Sequence, residues 1–227
     1  RFGIGADGLI LVLDHENADF EMKYYNSDGK EGTMCGNGGR CAVAFARKTG
    51  FIQNKTTFMA IDGLHHANIS VNEYIKLKMQ DAANIKKMAS GFFIKTGSPH
   101  YVEFVTDVEK IDVPERGKKI RNNKQLFGTQ GTNVNFAEIH EQFIKMRTYE
   151  RGVENETYSC GTGAVATALV YHEFKNNGSR KVKILTKGGV LNVYFKKESQ
   201  GFSNIYLEGP AEFVYQGVIS DQKIRKI

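Results

Sequence analysis

MCGNGGRC, residues 34–41, sets two cysteines and three glycines in eight positions, and the helical pattern AVAFARK follows at 42–48. Glycine is a poor helix and strand residue, so a thiol on a glycine turn at the mouth of a helix needs a reason. The apolar spacing predicts a helix from about Gly36 to Lys48, with Gly50 as its stop signal. A second copy of the arrangement stands at NETYSCGTGAVATALV, residues 155–170, and predicts a helix from about Gly161 to Phe174. Each copy has a Glu four residues before its Cys, a nearby Thr, the tetrad C-G-x-G, and then small and apolar residues at helical spacing. That is an internal repeat of low identity and high positional agreement.

Outward from the two helices, FEMKYY (20–25), YIKLKM (74–79), YVEFV (101–105), NVNF (133–136) and VLNVYF (190–195) carry the period of two that marks a half-buried strand. Turn signals such as SDG, KTGS, KGG and EGP separate them. Many strands with one long helix per half predict an α+β fold of two pseudo-symmetric domains, each a mostly antiparallel barrel around a central helix. The division expected is residues 1–88 and 89–210, with 211–227 returning as a last strand to complete the first half.

The chemistry follows from the physics of helix ends. A helix N-terminus leaves backbone N–H groups without internal partners and carries about half a unit of positive charge. Glycines there let a carboxylate or phosphate approach the backbone, and the same field lowers a thiol toward the reactive thiolate. Two facing mouths would grip one carboxylate from both sides and set a thiol on each side of the carbon that bears it. Such a site suits removal of a proton from one face of an α-carbon and return of one to the other. Cys41, which lacks flanking glycines and falls inside the first helix, reads as a small buried core thiol.

The 227 residues, 41% hydrophobic and 25% charged with three prolines, describe an ordered globular chain. The longest apolar run, AVATALVY at 164–171, falls short of the roughly 20 residues a membrane span requires. No signal segment opens the chain, so a soluble cytoplasmic protein without membrane partners is expected. Net charge is +6, but the basic residues fall in scattered pairs such as Lys86 with Lys87 and Lys196 with Lys197. A solvated basic surface is expected, with no nucleic-acid partner. Three cysteines without C-x-x-C spacing argue against a disulfide framework and against a structural metal site.

The blocks GIGADG (3–8), YYNSDGKEGTMCGNGGRC (24–41), GSPHYV (97–102), GTNVNF (131–136), RTYERGVENETYSCGTGA (147–164) and LEGPAEFVYQG (207–217) closely resemble the diaminopimelate epimerases. They span nearly the whole chain in the family's order. The resemblance implies a cofactor-independent isomerase that interconverts LL- and meso-diaminopimelate in lysine and peptidoglycan precursor synthesis, with a homodimer left open. It implies that Cys35 and Cys160 are the two acid/base thiols, one deprotonated and one protonated. Backbone N–H groups of Gly36, Asn37, Gly161 and Thr162 would hold the α-carboxylate. Asn26, Asn133 and Arg151 would bind the distal carboxylate or ammonium, with Glu150 at the same end. His100 and Glu150 would lie beside Cys35 and Cys160 respectively and tune their protonation.

Three departures stand out. The family's Asn-Pro-His reads Ser98, Pro99, His100 here, and one extra residue lies between Arg151 and Cys160. The family's first strand and its substrate-contacting Asn are expected ahead of Arg1. Two other readings share part of the pattern. A proline or hydroxyproline racemase of the same architecture would carry His where Asn37 stands. A non-enzymatic thiol redox protein would leave Asn26, Asn133 and Arg151 without a ligand.

Overall fold

A computed structural model of the chain describes residues 5–6, 8–32, 34–175 and 178–218. The first unit runs β1 (Gly8–Leu13), β2 (Phe20–Asn26), β3 (Glu31–Gly32), α1 (Gly36–Lys48), β4 (Lys55–Ala60), β5 (Gly63–Ile69) and β6 (Ile75–Lys78). Then come β7 (Lys86–Lys87), β8 (Phe92–Lys95), β9 (Pro99–Phe104), α2 (Val113–Arg121) and α3 (Lys124–Phe127). The second unit runs β10 (Asn133–Ile139), β11 (Ile144–Glu150), β12 (Asn155–Thr157), α4 (Gly161–Lys175), β13 (Lys181–Thr186), β14 (Gly189–Glu198) and β15 (Gly201–Gly209).

The two units share one wiring diagram. In the first, a hairpin (β1, β2) carries a short flanking strand (β3), leads into α1, and returns as β4 parallel to β2 before the meander β4–β5–β6. In the second, β10 and β11 form the hairpin and β12 flanks it. The chain enters α4 and returns as β13 parallel to β11 before the meander β13–β14–β15. The last strands of the two units pair with each other antiparallel, with Leu77 of β6 opposite Leu207 of β15. One strand order therefore runs through both halves: β1-β2-β4-β5-β6-β15-β14-β13-β11-β10-β9-β8-β7. The repeat seen at the cysteines is thus a repeat of the whole unit.

The expected α+β class holds, mostly antiparallel, with parallel pairs at β2/β4, β9/β10 and β11/β13. α4 is the central helix of the second half, its first ten residues buried apart from Thr162. Its apolar residues share one core with those of α1 and the β6 and β15 strands. Such an all-round apolar helix is stable only when sheet covers every side. α1 ends with Gly50 at φ +85, whose N–H bonds Arg47 O at 3.1 Å, a glycine stop of the left-handed kind.

Two expectations change. α2 was not foreseen; it starts where the Asp112 carboxylate accepts from Glu115 N at 3.0 Å and a proline sits in the first turn. The return after Pro210 carries no strand over 211–218, and residues 219–227 lie outside those described. The segment nevertheless comes back to α1, where Lys48 Nζ stands 3.9 Å over the Phe213 ring. No helix of the described residues is long and apolar enough to cross a membrane.

Candidate active site

Cys35 caps α1. Its backbone is extended (φ −107, ψ 156) and its Sγ accepts from Gly38 N at 3.2 Å. Cys160 stands in the same place before α4, with Ala164 N on its carbonyl at 2.9 Å. The glycines after them are required for a reason the sequence did not reveal. A Cβ on Gly36 would lie 2.7 Å from Leu207 Cδ2 and 3.4 Å from the Gly161 Cα. One on Gly161 would lie 2.8 Å from the same Leu207 atom and 3.3 Å from the Gly36 Cα. The two helix mouths touch, wedged by one leucine of the joining strand.

Asn37 fastens the contact by donating from Nδ2 to Ser159 O at 3.2 Å, across the two halves. Its Oδ1 accepts from Arg40 Nη2 at 3.0 Å. Arg40 also donates to Gly36 O at 2.9 Å and to Pro210 O at 3.3 Å. It is 6% exposed, and no carboxylate of the described residues pairs with it. Sequence reasoning passed over Arg40, though a charge among the small residues of a buried helix start was the available signal. Among the described residues, nothing accepts from the N–H groups of Gly36, Asn37, Gly161 and Thr162. Four unspent donors at two touching helix starts form a cradle for one carboxylate.

The two thiols differ. Cys35 is exposed and Cys160 is buried, and all three cysteines are free. Burial pushes the Cys160 thiol up to about 12, with the Glu150 carboxylate adding to the rise. Hydrogen bonds from Thr162 and Gly163 N–H act the other way and lose. The helix-mouth lowering expected for this thiol is therefore outweighed by desolvation, and Cys160 rests as the protonated partner. Cys41 departs from its expected place in the core. It faces out, lining an apolar groove of about 250 Å³ with Ile10, Phe45 and Phe213.

His100 is fully buried, and burial together with the Arg151 charge takes its pKa down to about 3. Its Nε2 meets Thr162 Oγ1 at 2.9 Å, and Thr162 Oγ1 lies 3.6 Å from Cys160 Sγ, so it belongs to the second mouth. The register explains this: β9 runs beside β10, pairing His100 with Asn133 in the half that carries α4. Ser98, at the departure from the family pattern, places Oγ 3.2 Å from Thr162 Oγ1 and 3.4 Å from His100 Nε2.

Glu150 accepts from Thr157 Oγ1 at 2.9 Å, and burial raises its pKa. Asn133 is anchored on the backbone, donating to Pro99 O at 3.0 Å and accepting from Arg151 N at 2.9 Å. It sets the Arg151 turn and keeps one Nδ2 hydrogen uncommitted. The half-buried Arg151 guanidinium has no hydrogen bond or ion pair among the described residues, and so is free to meet an anion. Asn26 is exposed at the end of β2, where Nδ2 donates to Lys30 O at 3.4 Å. Its turn leads through β3 to the Cys35 mouth. Asn135 was also missed; it sits two residues after Asn133 on the same face of β10, a buried polar pair that NVNF does spell out.

Among solved structures, a Bacillus anthracis phenazine biosynthesis protein of the PhzF family matches with a TM-score of 0.75 at 17% identity, covering 91% of this chain and 82% of that one. A hydroxyproline epimerase from Agrobacterium vitis, with bound trans-4-hydroxy-L-proline, matches with a TM-score of 0.63 at 13% identity, covering 89% and 71%. At such identities the likeness is one of fold. The sequence relatives are nearer. The diaminopimelate epimerase of Flavobacterium psychrophilum is 51% identical over 96% of this chain and 86% of its own length. That of Chlorobaculum tepidum is 44% identical over 97% of this chain and 88% of its own. A family model described as diaminopimelate epimerase matches residues 1–84 and 92–214. With that match running through both cysteine mouths, the chain belongs to the diaminopimelate epimerase family.

Proposed function

We propose that this chain interconverts LL- and meso-diaminopimelate in the cytoplasm, without a cofactor, in the synthesis of lysine and of the peptidoglycan precursor. The observation that carries the reading is the contact between the two thiol-bearing helix mouths, whose four unspent N–H groups suit a single α-carboxylate. In this reading one thiolate takes the α-proton while the opposite thiol gives its own proton to the other face of the carbon. The exposed Cys35 acts from one side and the buried, protonated Cys160 from the other. The N–H cradle steadies the negative charge that grows on the carboxylate as the C–H bond breaks. Arg151 and Asn133, with Glu150 and Asn26, receive the far end of the substrate. The division of the chain at residue 88, with the tail from 211 on α1, belongs to the same proposal. So does a homodimer, for which the outward leucines of β1 (Leu9, Leu11 and Leu13) offer a surface.

The test is incubation of the protein with LL-diaminopimelate in deuterated water without added cofactor. Appearance of the meso isomer with α-deuterium incorporation supports the reading. Turnover of proline or hydroxyproline instead, or no exchange at all, rejects it.

A further inference from the structure

A chain of buried hydrogen bonds runs into the Cys160 mouth, and its direction can be read atom by atom. Asn135 Nδ2 donates to Tyr101 O at 3.0 Å, which fixes the orientation of its carboxamide. Its Oδ1 accordingly accepts from Thr148 Oγ1 at 3.0 Å. The same Nδ2 points at His100 Nδ1, 3.2 Å away, so that nitrogen must accept. Asn135, His100 and Thr148 are all at most 1% exposed, so bulk solvent does not compete for these bonds. Gly163 is part of the arrangement: a Cβ there would lie 2.4 Å from Asn135 Oδ1. With Nδ1 accepting, the neutral imidazole carries its proton on Nε2. It donates to Thr162 Oγ1, and the Thr162 hydrogen has two acceptors left: Ser98 Oγ at 3.2 Å and Cys160 Sγ at 3.6 Å.

We infer that Asn135 fixes His100 as a permanent Nε2–H donor, so that the Thr162 hydroxyl, and not the imidazole, meets the charge that appears on the Cys160 sulfur. While Cys160 is a thiol, the Thr162 hydrogen rests on Ser98. When the S–H bond breaks and the proton passes to the substrate carbon, the electron pair stays on sulfur and the Thr162 hydrogen turns to it. His100 gains and loses no proton in the cycle. The charged or titratable groups that face this chain are Arg151, beside His100, and Glu150 and Cys35, which both act on Cys160. A cation next to the imidazole opposes its protonation. Asn135 and His100 are positioning residues in this account, which rests on the proposed epimerase reading for the thiol's role but not for the polarity of the chain.

The decisive experiment is 15N NMR of the histidine-labelled full chain. Expected is a pyridine-like Nδ1 and a pyrrole-like Nε2 for His100, unchanged over the range of roughly pH 5 to 8 in which an ordinary histidine titrates. In Asn135→Asp the carboxylate demands a proton from Nδ1, and the two signals should exchange character. A His100 that titrates in that range, or that holds its proton on Nδ1 in the parent protein, overturns the inference. These readouts need no turnover, so they stand apart from the success of the substrate assay. Kinetics supply the second arm. His100→Gln keeps an N–H donor near the Nε2 position but cannot relay a proton. It should keep epimerisation within about tenfold of the parent with the same pH–rate shape, and Thr162→Ser should do likewise, while Thr162→Val falls by about 10²-fold or more. A loss of about 10²- to 10⁴-fold in His100→Gln would instead make the imidazole the proton carrier.

Discussion

Gly36 and Gly161 lie backbone against backbone: a Cβ on Gly161 would crowd the Gly36 Cα at 3.3 Å and clash with Leu207 Cδ2. Gly161→Ala should therefore push the mouths apart. Expected is a loss of about 1–3 kcal/mol in denaturant unfolding, as for other overpacked cores, with a larger proportional loss of epimerisation. Adding Leu207→Ala should return part of the stability, because Leu207 Cδ2 is the nearer obstacle at 2.8 Å, without returning the rate. Equal recovery of both would show that spacing of the mouths does not matter.

Removal of either active thiol should stop the reaction. Cys35→Ala and Cys160→Ala should each lose at least about 10²-fold in turnover, since one face then lacks its base or acid. Cys41→Ala, whose side chain faces the groove beside Phe213, should keep most of the activity. Comparable loss in all three variants would point to a stability effect.

The thiols should also react in a fixed order. Exposed Cys35 and Cys41 should be alkylated by iodoacetamide well before Cys160, which is buried and held as a thiol. Intact-mass and peptide mapping over time read this directly. Early modification of Cys160 would mean that the second mouth is open to solvent.

His100 links the site to acid stability. Its pKa falls from an ordinary 6.5 to about 3 on folding, so below 6.5 the unfolded chain takes up a proton that the folded protein refuses. Stability is thus lost as pH falls from 6.5 toward 3, by about 1.4 kcal/mol per pH unit from this group. Denaturant curves at several pH values should show that component missing in His100→Gln. Parallel curves for parent and variant would mean that His100 charges inside the fold.

Arg40 ties three neutral oxygens, those of Gly36, Asn37 and Pro210. Arg40→Met should strip the guanidinium from Asn37 Oδ1 and Pro210 O and cost about 1–3 kcal/mol. It should also raise KM, because Asn37 then loses the partner that aims its amide at Ser159. Arg40→Lys should recover little, since an ammonium lacks the planar fork that spans all three. A variant with unchanged KM would confine Arg40 to stability.

The local signals proved faithful where chemistry is local. α1 and α4 begin at the glycines after Cys35 and Cys160, as helix-end physics requires, and the alternating runs became β2, β6, β9, β10 and β14. What needed three dimensions was the side to which a residue belongs. His100 lies far from both cysteines in sequence, and only the parallel register of β9 on β10 delivers it to Cys160. The exposure of Cys41 depends on which face of α1 the tail from Ala211 covers. α2 was legible in retrospect from Asp112 and Glu115, a D-x-x-E start followed by too few apolar residues to register as periodic.

The shared wiring of the two units has a further meaning. Two identical units meeting through their β6-like edges would form a symmetric pair, with both sulfurs in the same surroundings and no reason to differ in charge. Joining them in one polypeptide frees each copy to drift. Here one sulfur is exposed and the other is sealed beneath Thr162, His100 and a carboxylate. Each turnover needs one thiolate and one thiol, and such inequality favours one assignment of the proton before any substrate arrives.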